Sequence, residues 1–514
     1  MSLLTKIYSL GSQSLLRDLD AARKDPCAFQ HQVFKTLLQN GEQSTFGKEH
    51  HFYSIGGLST FQQRLPLQQY EDLAPYIQRL RKGESNVLWN QKTQWFAKSS
   101  GTSGSKSKFI PLTPDALYHC HYRGMQTVLA SYIRNHPKSR LFNGKSLTLG
   151  GSCRIDEDGK GQSRYGDLSA ILLSNSPALA EHFRTPPRKI ALQDNFEKKV
   201  DDIARYIARQ SLSSFSGVPS WNLVLLRKVL EYANKDHLLD VWPRLELFIH
   251  GGINFEPYRE QYRQLIPSDR MHYVETYNAS EGFFALQDQP DDPGMLLLPH
   301  CGVFYEFIPL KRLSEALSGS YCNFLTMENV CVDEDYALVI STNGGLWRYL
   351  IGDTIRFSSL YPHRLIITGR TKLFINAFGE ELMIEHAEKA LAACCQKHQA
   401  LVSEFTVAPV FMDERAKGAH QWLIEFAQAP ADTAAFAWDL DQAVCSQNSD
   451  YEAKRAGNAT MLPLQLQVLP SGMFYAWLKE RGRLGGQHKV PRLSGSREYA
   501  DELLALSQAT LNTP

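Results

Sequence analysis

The sequence predicts an α/β protein in two parts. Residues 1–370 read as a large domain with mixed and parallel sheets and a β-barrel-like part flanked by helices, and residues 371–514 as a small α+β domain. Three observations carry this. First, LELFIHGG (245–252) reads as a strand, EPYREQYRQLI as a helix, and MHYVETYNASEG as a second strand ending at Tyr277. That is a βαβ unit, and its two loops leave the same carboxyl edge of a sheet, where open parallel sheets bind ligands. Second, residues 295–370 break into short apolar runs: MLLLP, VFYEFIPL, YALVIST, LWRYLIG and RLIITG. The turn Asn343-Gly344-Gly345 joins two of them as a hairpin. Third, beyond a boundary near Gly369-Arg370, FTVAPVFMD and HQWLIEFAQ read as a hairpin with helices on either side.

The remaining elements fit around these. Residues 1–90 read as largely helical, with Leu15, Leu19, Phe34, Leu37 and Leu38 at helical spacings. QWFA (94–97) is a short strand, FIPLT resumes after a Ser/Gly run, and Thr113-Pro114 supplies an N-cap and a first-turn proline. The helix so started runs to about Asn135, before Pro137. Residues 165–240 read mostly as helices, WNLVLLRKVLEYA among them, and RGRLGGQHKVPRLSG near the end reads as a basic, glycine-rich, mobile loop.

Composition narrows the classes of function. The chain has 514 residues, 43% of them hydrophobic and 21% charged, with a formal charge of +1. There is no basic footprint for nucleic acid or an acidic membrane, so an anion site has to be built locally. The start, MSLLTKIYSLGSQSLLRDLD, lacks the continuous apolar core of a signal peptide, and no run approaches the ~18 apolar residues of a spanning helix. Nine cysteines without CxxC spacing read as reduced thiols, with Cys394 and Cys395 adjacent on a helix. A cytoplasmic protein is expected.

The stretch with the most chemistry is KSSGTSGSKSKFIPLT (98–113). By composition it reads as a solvated linker or as a loop whose hydroxyls, N–H groups and lysines hold phosphate. It is not a Walker A loop, because Lys106 stands where the second glycine is required. Nor is it a nucleophile elbow, because Ser105 stands where the last glycine should be. The consecutive His119, Cys120 and His121 are badly spaced for a metal on a helix.

What remains, S-S-G-T-S-G-x-x-x-K, resembles the phosphate loop of acyl-adenylate-forming enzymes. It is most similar to that of the Gretchen Hagen family of acyl-acid amido synthetases, which is auxin-responsive in plants and also found in bacteria. The match covers Ser99, Ser100, Gly101, Thr102, Ser103 and Lys108. Further matches follow in the family's order. Gly251-Gly252 resembles the adenine motif, Tyr277-Asn278-Ala279-Ser280-Glu281 resembles Y-x-x-S-E, and Arg348-Tyr349-Leu350-Ile351-Gly352-Asp353 resembles R-Y-R-x-G-D. Gly369-Arg370-Thr371-Lys372 is similar to the hinge motif and Gln487-His488-Lys489-Val490-Pro491-Arg492 to Q-Y-K-x-P-R. Leu350 and His488 depart from the plant pattern, and the hinge sequence GRTKLFINAFGEEL resembles the bacterial branch and acyl-CoA ligases.

The resemblance implies ATP and Mg²⁺ as cofactors, and a carboxylic acid and an amine, that of an amino acid, as partners. Activating a carboxylate with ATP brings two anions together. At ~4 Å and an effective dielectric of ~20 each unlike charge pair offsets about 4 kcal/mol, so cations and hydroxyls are needed at the phosphates. Lys108 and the hydroxyls of Ser99, Ser100 and Thr102 suit that task. Glu281 suits Mg²⁺, which takes few carboxylates plus phosphate oxygens and water. Tyr277 would stack on adenine beside Gly251, Gly252 and Ser280, while Asp353 would accept the ribose hydroxyls with help from Arg370. Lys489 would reach the reacting phosphorus when residues ~372–514 rotate about the hinge. The acyl pocket is expected among the helices of 115–240, with Trp221 a candidate. Two alternatives stay open: another acceptor such as coenzyme A, or a nucleotide-binding sensor without turnover.

Overall fold

The computed structural model describes residues 3–99, 108–156, 163–193, 196–252, 255–290, 292–371, 382–411, 418–448, 461–482 and 490–511, with a few single positions between them. The chain forms two compact units: residues 1–253 with 266–366, and residues 254–265 with 367–514. The boundary thus lies at 366/367. The helix Glu256–Leu265, which the sequence reading left in the large domain, belongs to the smaller unit.

In the larger unit, helices fill residues 3–81 and the strands follow in order. They are β1 (Trp95–Ser99), β2 (Lys108–Leu112), β3 (Lys145–Thr148), β4 (Cys153–Ile155), β5 (Arg164–Gly166), β6 (Arg184–Thr185), β7 (Leu212–Gly217) and β8 (Leu247–Gly251). Then come β9 (His272–Ala279), β10 (Gly282–Leu286), β11 (Met295–Leu297), β12 (Val303–Pro309), β13 (Asp335–Thr342), β14 (Tyr349–Leu360) and β15 (His363–Arg370). Eleven of them form one mixed sheet in the order β12-β13-β14-β15-β11-β10-β9-β8-β7-β3-β6. From β6 to β9 the pairing is parallel, so β7 to β9 with their connecting helices are the expected α/β half. Leu247, Phe248 and Ile249 of β8 are all buried, as a strand covered on both faces requires. A second sheet, β2-β1-β5-β4, stands apart.

The strand-rich half curls, as a barrel-like part should. Strands β9 and β14 stand four places apart in the sheet order. Flat, that separation is about 19 Å, yet the Tyr277 hydroxyl donates to Asp353 Oδ2 at 2.8 Å. Two side chains cannot span the flat distance, so the intervening strands bend to bring the two ends together.

Packing ties the helical N-terminal part to β14. Trp347, fully buried, stacks edge-on against Phe52 with centroids 4.7 Å apart and donates to Leu88 O at 3.1 Å. The next residue, Arg348, lies at φ +44° and is 1% exposed. Its guanidinium pairs with Glu306, also 1% exposed, and donates to the carbonyls of Gln62 and Leu65. Every donor of a buried charge needs such a partner, and here they come from two distant parts of the chain, residues 62–65 and Glu306.

Several local expectations are met by the pairing. The Thr113 hydroxyl accepts from Ala116 N at 3.0 Å, which is the cap, and the helical stretch ends at Asn135. Its first turns, Ala116–Tyr122, are π-helical, which the sequence pattern does not encode. The β9 strand runs on to Ala279, two residues past Tyr277, because β10 pairs back on it.

The smaller unit holds the two-stranded β16 (Phe374–Ile375) and β17 (Leu382–Met383). Its main sheet is β18 (Leu401–Val410), β19 (Ala419–Gln428) and β20 (Gln465–Leu469). The β18–β19 pair is antiparallel, and helices Ile384–His398 and Thr433–Gln447 precede and follow it. Helix Glu256–Leu265 is built into this unit. Tyr258 Oη donates to Glu404 at 2.7 Å, Gln261 Nε2 donates to Val402 O at 2.9 Å, and Arg492 pairs with Glu404 at 2.7 Å.

Candidate active site

Strands β1 and β2 are antiparallel neighbours, and their outermost pair is Ser99 with Lys108. The Ser/Gly run is therefore anchored at both ends by strand pairing, an arrangement a free linker does not have. The run itself, with Ser100, Gly101, Thr102, Ser103 and Lys106, lies outside the described residues, as do Lys372 and Lys489. Ser99 closes β1 and Lys108 opens β2.

Lys108 is held from two directions. Its Nζ donates to Tyr349 Oη at 3.3 Å and lies 5.7 Å from the Tyr70 ring centroid and 5.8 Å from that of Tyr349. Tyr70 Oη in turn accepts from Phe109 N at 2.8 Å, and burial pushes its phenol pKa up, so the hydroxyl stays protonated. The two tyrosines come near each other because the segment before Tyr70 pairs with the start of β14. Gln68 N donates to Arg348 O, and Leu350 N donates to Gln68 O, both at 2.9 Å. Lys98, by contrast, has its Nζ 5.9 Å from the Tyr165 ring.

Further along β14 the pairing with β13 slips. Val339 faces Leu350, but Ala337 faces Thr354, so two steps on β13 meet four on β14. Gly352, at φ +92°, sits in this bulge and Asp353 follows it. A bulge re-aims the residue beside it, and Asp353 is turned onto the Tyr277 hydroxyl, 2.8 Å away. Tyr277, expected to stack on adenine through its ring, is 4% exposed and packs edge-on to Phe284, centroids 4.9 Å apart. What this side chain offers Asp353 is its hydroxyl.

The glycine pair sits where β8 ends, one strand from Tyr277. Gly251 is paired with Thr276, and a Cβ on it would lie 2.3 Å from Thr276 O. Gly252 lies at φ +82°. Gly251 thus has no room for a side chain against β9, Gly252 takes a backbone conformation that favours glycine, and a pair of glycines lets a flat ligand come close to the backbone. Ser280 and Glu281 form the two-residue turn between β9 and β10, closed by the Ala279–Gly282 pair. Ser280 is buried and Glu281 half-buried.

No cluster of three or more His, Cys, Asp or Glu that could hold a metal occurs among the described residues. A cation here would have to rely on one carboxylate and on the oxygens of its substrate. Glu281 fits that donor set. Trp221, half-buried, lies in the first turn of helix Pro219–Ala233, which leaves the carboxyl end of β7. Arg370 ends β15 and belongs to the smaller unit.

The structure thus links Lys108 to Tyr349, carries Tyr349 and Asp353 on one strand, and joins Asp353 to Tyr277, with Glu281 four residues on. Sequence reasoning assigned nothing to Tyr349 or Tyr70. Tyr349 carries a signal, its place inside the quoted R-Y-L-I-G-D stretch; Tyr70 carries none.

Comparison with known proteins adds three findings. The family models described as GH3 family N-terminal, central and C-terminal domain match residues 15–271, 295–370 and 385–498. The chain is 24% identical to the indole-3-acetic acid-amido synthetase GH3.8 of Oryza sativa subsp. indica, over 94% of this chain and 90% of that one. It is also 24% identical to the jasmonoyl--L-amino acid synthetase JAR4 of Nicotiana attenuata, over 69% and 71%. Among solved structures, the AtGH3.15 acyl acid amido synthetase in complex with 2,4-DB superposes with a TM-score of 0.79 at 17% identity, covering 97% of this chain and 96% of that one. A 2-hydroxyisobutyryl-CoA ligase in its postadenylation state gives 0.60 at 13% identity, covering 95% and 94%.

Proposed function

Since the chain belongs to the GH3 family, we propose that it activates a carboxylic acid with ATP and passes the acyl group to the amine of an amino acid. The observation that carries this reading is the line of groups from Lys108 through Tyr349 and Asp353 to Tyr277, beside the bare backbone of Gly251 and Gly252. It combines a cation at the phosphate-loop hairpin, a flat backbone edge for a base and a directed carboxylate for ribose hydroxyls.

In the first step a carboxylate oxygen of the acid attacks the α-phosphorus. The bond from that phosphorus to the bridging oxygen breaks, and pyrophosphate leaves. Lys108 offsets the charge of the phosphates, and Asp353 fixes the ribose by accepting hydrogen bonds from its hydroxyls. Ser99, Ser100, Gly101, Thr102 and Ser103 would line the phosphates, with Ser280 and Arg370 around the nucleoside. Glu281 would hold Mg²⁺, which when bound supplies charge neutralisation at the phosphate oxygens. In the second step the amine nitrogen attacks the acyl carbon, the carbon–oxygen bond to AMP breaks, and the amine loses a proton as the amide forms. Rotation of the small domain about the hinge expected at 369–372, with helix Glu256–Leu265 moving along with it, would exchange the two steps and bring Lys489 to the phosphorus in the first.

Among the described residues no helix is long and apolar enough to cross a membrane, which suits a cytoplasmic enzyme of small molecules. The test is acid-dependent exchange of labelled pyrophosphate into ATP, over a broad panel of acids. Exchange in the native protein and its loss in Lys108→Ala support the reading. ATP binding without exchange for any acid would leave a sensor instead. Mass spectrometry of the products then separates an amide from a thioester, and a thioester would shift the acceptor to coenzyme A.

A further inference from the structure

We propose that Tyr349 and Tyr70 are positioning residues that clamp the Lys108 ammonium between them, Tyr349 through its hydroxyl and Tyr70 through its ring. The inference rests on the reading of Lys108 as the phosphate-facing cation and deepens it. Lysine has a long stem with many rotamers and a compact charge that points wherever solvent allows. At this site the Tyr70 centroid stands within the ~6 Å over which an aromatic face attracts a cation, at 5.7 Å, while Tyr349 meets the ammonium with its hydroxyl. One of the three ammonium protons goes to Tyr349 Oη at 3.3 Å. Neither a phenol hydroxyl nor an aromatic ring adds a full negative charge, so the clamp orders the ammonium without neutralising it.

Both jaws are rigid. Tyr349 is fully buried, and the residue before it, Arg348, is locked to Glu306 and to the carbonyls of Gln62 and Leu65. Tyr70 is pinned by the N–H of Phe109, the residue next to Lys108 itself. The paired segment at Gln68 fixes the spacing between the jaws, through Gln68 N to Arg348 O and Leu350 N to Gln68 O. An apolar side chain at Tyr349 would fill the same buried volume without an acceptor for Lys108.

The experiment is a double-mutant cycle on ATP binding by the full chain, read by calorimetry without acid. Its members are the native protein, Tyr349→Phe, Tyr349→Leu, Tyr70→Leu, Lys108→Ala and each tyrosine variant combined with Lys108→Ala. Thermal unfolding is followed for each. Expected is a loss of ATP affinity of about threefold for Tyr349→Phe and for Tyr349→Leu, both of which delete the acceptor, and about tenfold for Tyr70→Leu, which deletes the ring. In the Lys108→Ala background the same changes should cost less than twofold. Equal losses in both backgrounds, or no loss for any tyrosine variant, would overturn the clamp. Should Tyr349→Leu fail to fold, Tyr349→Phe and Tyr70→Leu decide the matter alone. Pyrophosphate exchange is measured beside it. Absent exchange with an intact cycle sinks the enzymatic reading and keeps the clamp, while normal exchange with an additive cycle does the reverse. Unchanged ATP affinity in Lys108→Ala overturns the clamp together with the assignment of Lys108.

Discussion

Tyr277 donates to Asp353 Oδ2 at 2.8 Å from the far side of a curled sheet. An aspartate beside a glycine bulge has rotamer freedom; this bond removes it. Phenol and carboxylate are thus a unit, the one setting the direction in which the other accepts.

Replacing Tyr277 by Phe keeps the ring on Phe284 and deletes that bond. Removing a hydrogen bond to a charged group costs about 1.5–3 kcal/mol. If the cost falls on nucleotide binding, kcat/KM for ATP in the exchange reaction should drop about tenfold or more, with the melting temperature little changed. Asp353→Ala should abolish exchange. A Tyr277→Phe protein with native kinetics would show that Asp353 needs no director.

The Arg348–Glu306 pair makes a stability prediction. Both side chains are 1% exposed, and a lone charge left there is expensive. Glu306→Ala should destabilise by about 3–5 kcal/mol, and replacing both partners by apolar residues of similar volume should cost far less. Urea unfolding of the single and double variants measures this. Equal destabilisation in both would mean the pair is dispensable and the packing is not.

Gly251→Ala tests the glycine edge. Its new Cβ would stand 2.3 Å from Thr276 O, which forces the β8–β9 pairing apart just where it leads to Tyr277. Loss of ATP affinity by more than tenfold is expected, along with a fall in stability of about 1–3 kcal/mol. Calorimetric ATP binding that matches the native protein would remove Gly251 from the site.

Acid should destabilise the fold below about pH 6.5, for a reason that can be isolated. Burial pushes the pKa of His121 down to about 4, and among the described residues neither ring nitrogen has a hydrogen-bond partner. His300 is likewise pushed down to about 4, by burial first and then by Arg123, against the opposing effect of Asp18. The unfolded chain therefore takes up these protons first, from an ordinary value of 6.5. Stability is complete above that pH and falls continuously toward about pH 4. Urea midpoints at pH 7.5, 6 and 5 should decline, and less steeply in His121→Leu. A variant whose profile runs parallel to the native one would exclude His121 as a source.

Much of this was legible in the sequence because it is local. A Thr-Pro pair caps the helix at residue 113, an Asn-Gly-Gly turn closes the β13–β14 hairpin, and the βαβ unit lies in one continuous stretch. The illegible parts depend on residues far apart. Period and propensity predict that LWRYLIG is a strand; they do not predict that Arg348 turns left-handed to reach Glu306. Nor do they tell that β14 carries two extra residues against β13, which is what turns Asp353 toward Tyr277. Likewise, Tyr70 is an ordinary helix-start tyrosine until the Gln68 pairing brings it to Lys108.

The helix Glu256–Leu265 gives the smaller unit an unusual bookmark in the chain. The polypeptide enters that unit at residue 254, leaves after 265 and returns at 367. A fragment cut at the hinge, residues 371–514, is therefore not self-sufficient. It would lack the helix that donates to Glu404 and to the Val402 carbonyl and leave bare a surface the intact chain keeps covered. Conversely, the remainder would carry an orphaned helix with Tyr258 and Tyr262, both fully shielded in the whole protein, turned to water. Each fragment should be sticky and ill-folded by itself, and the two should complement one another when synthesised together.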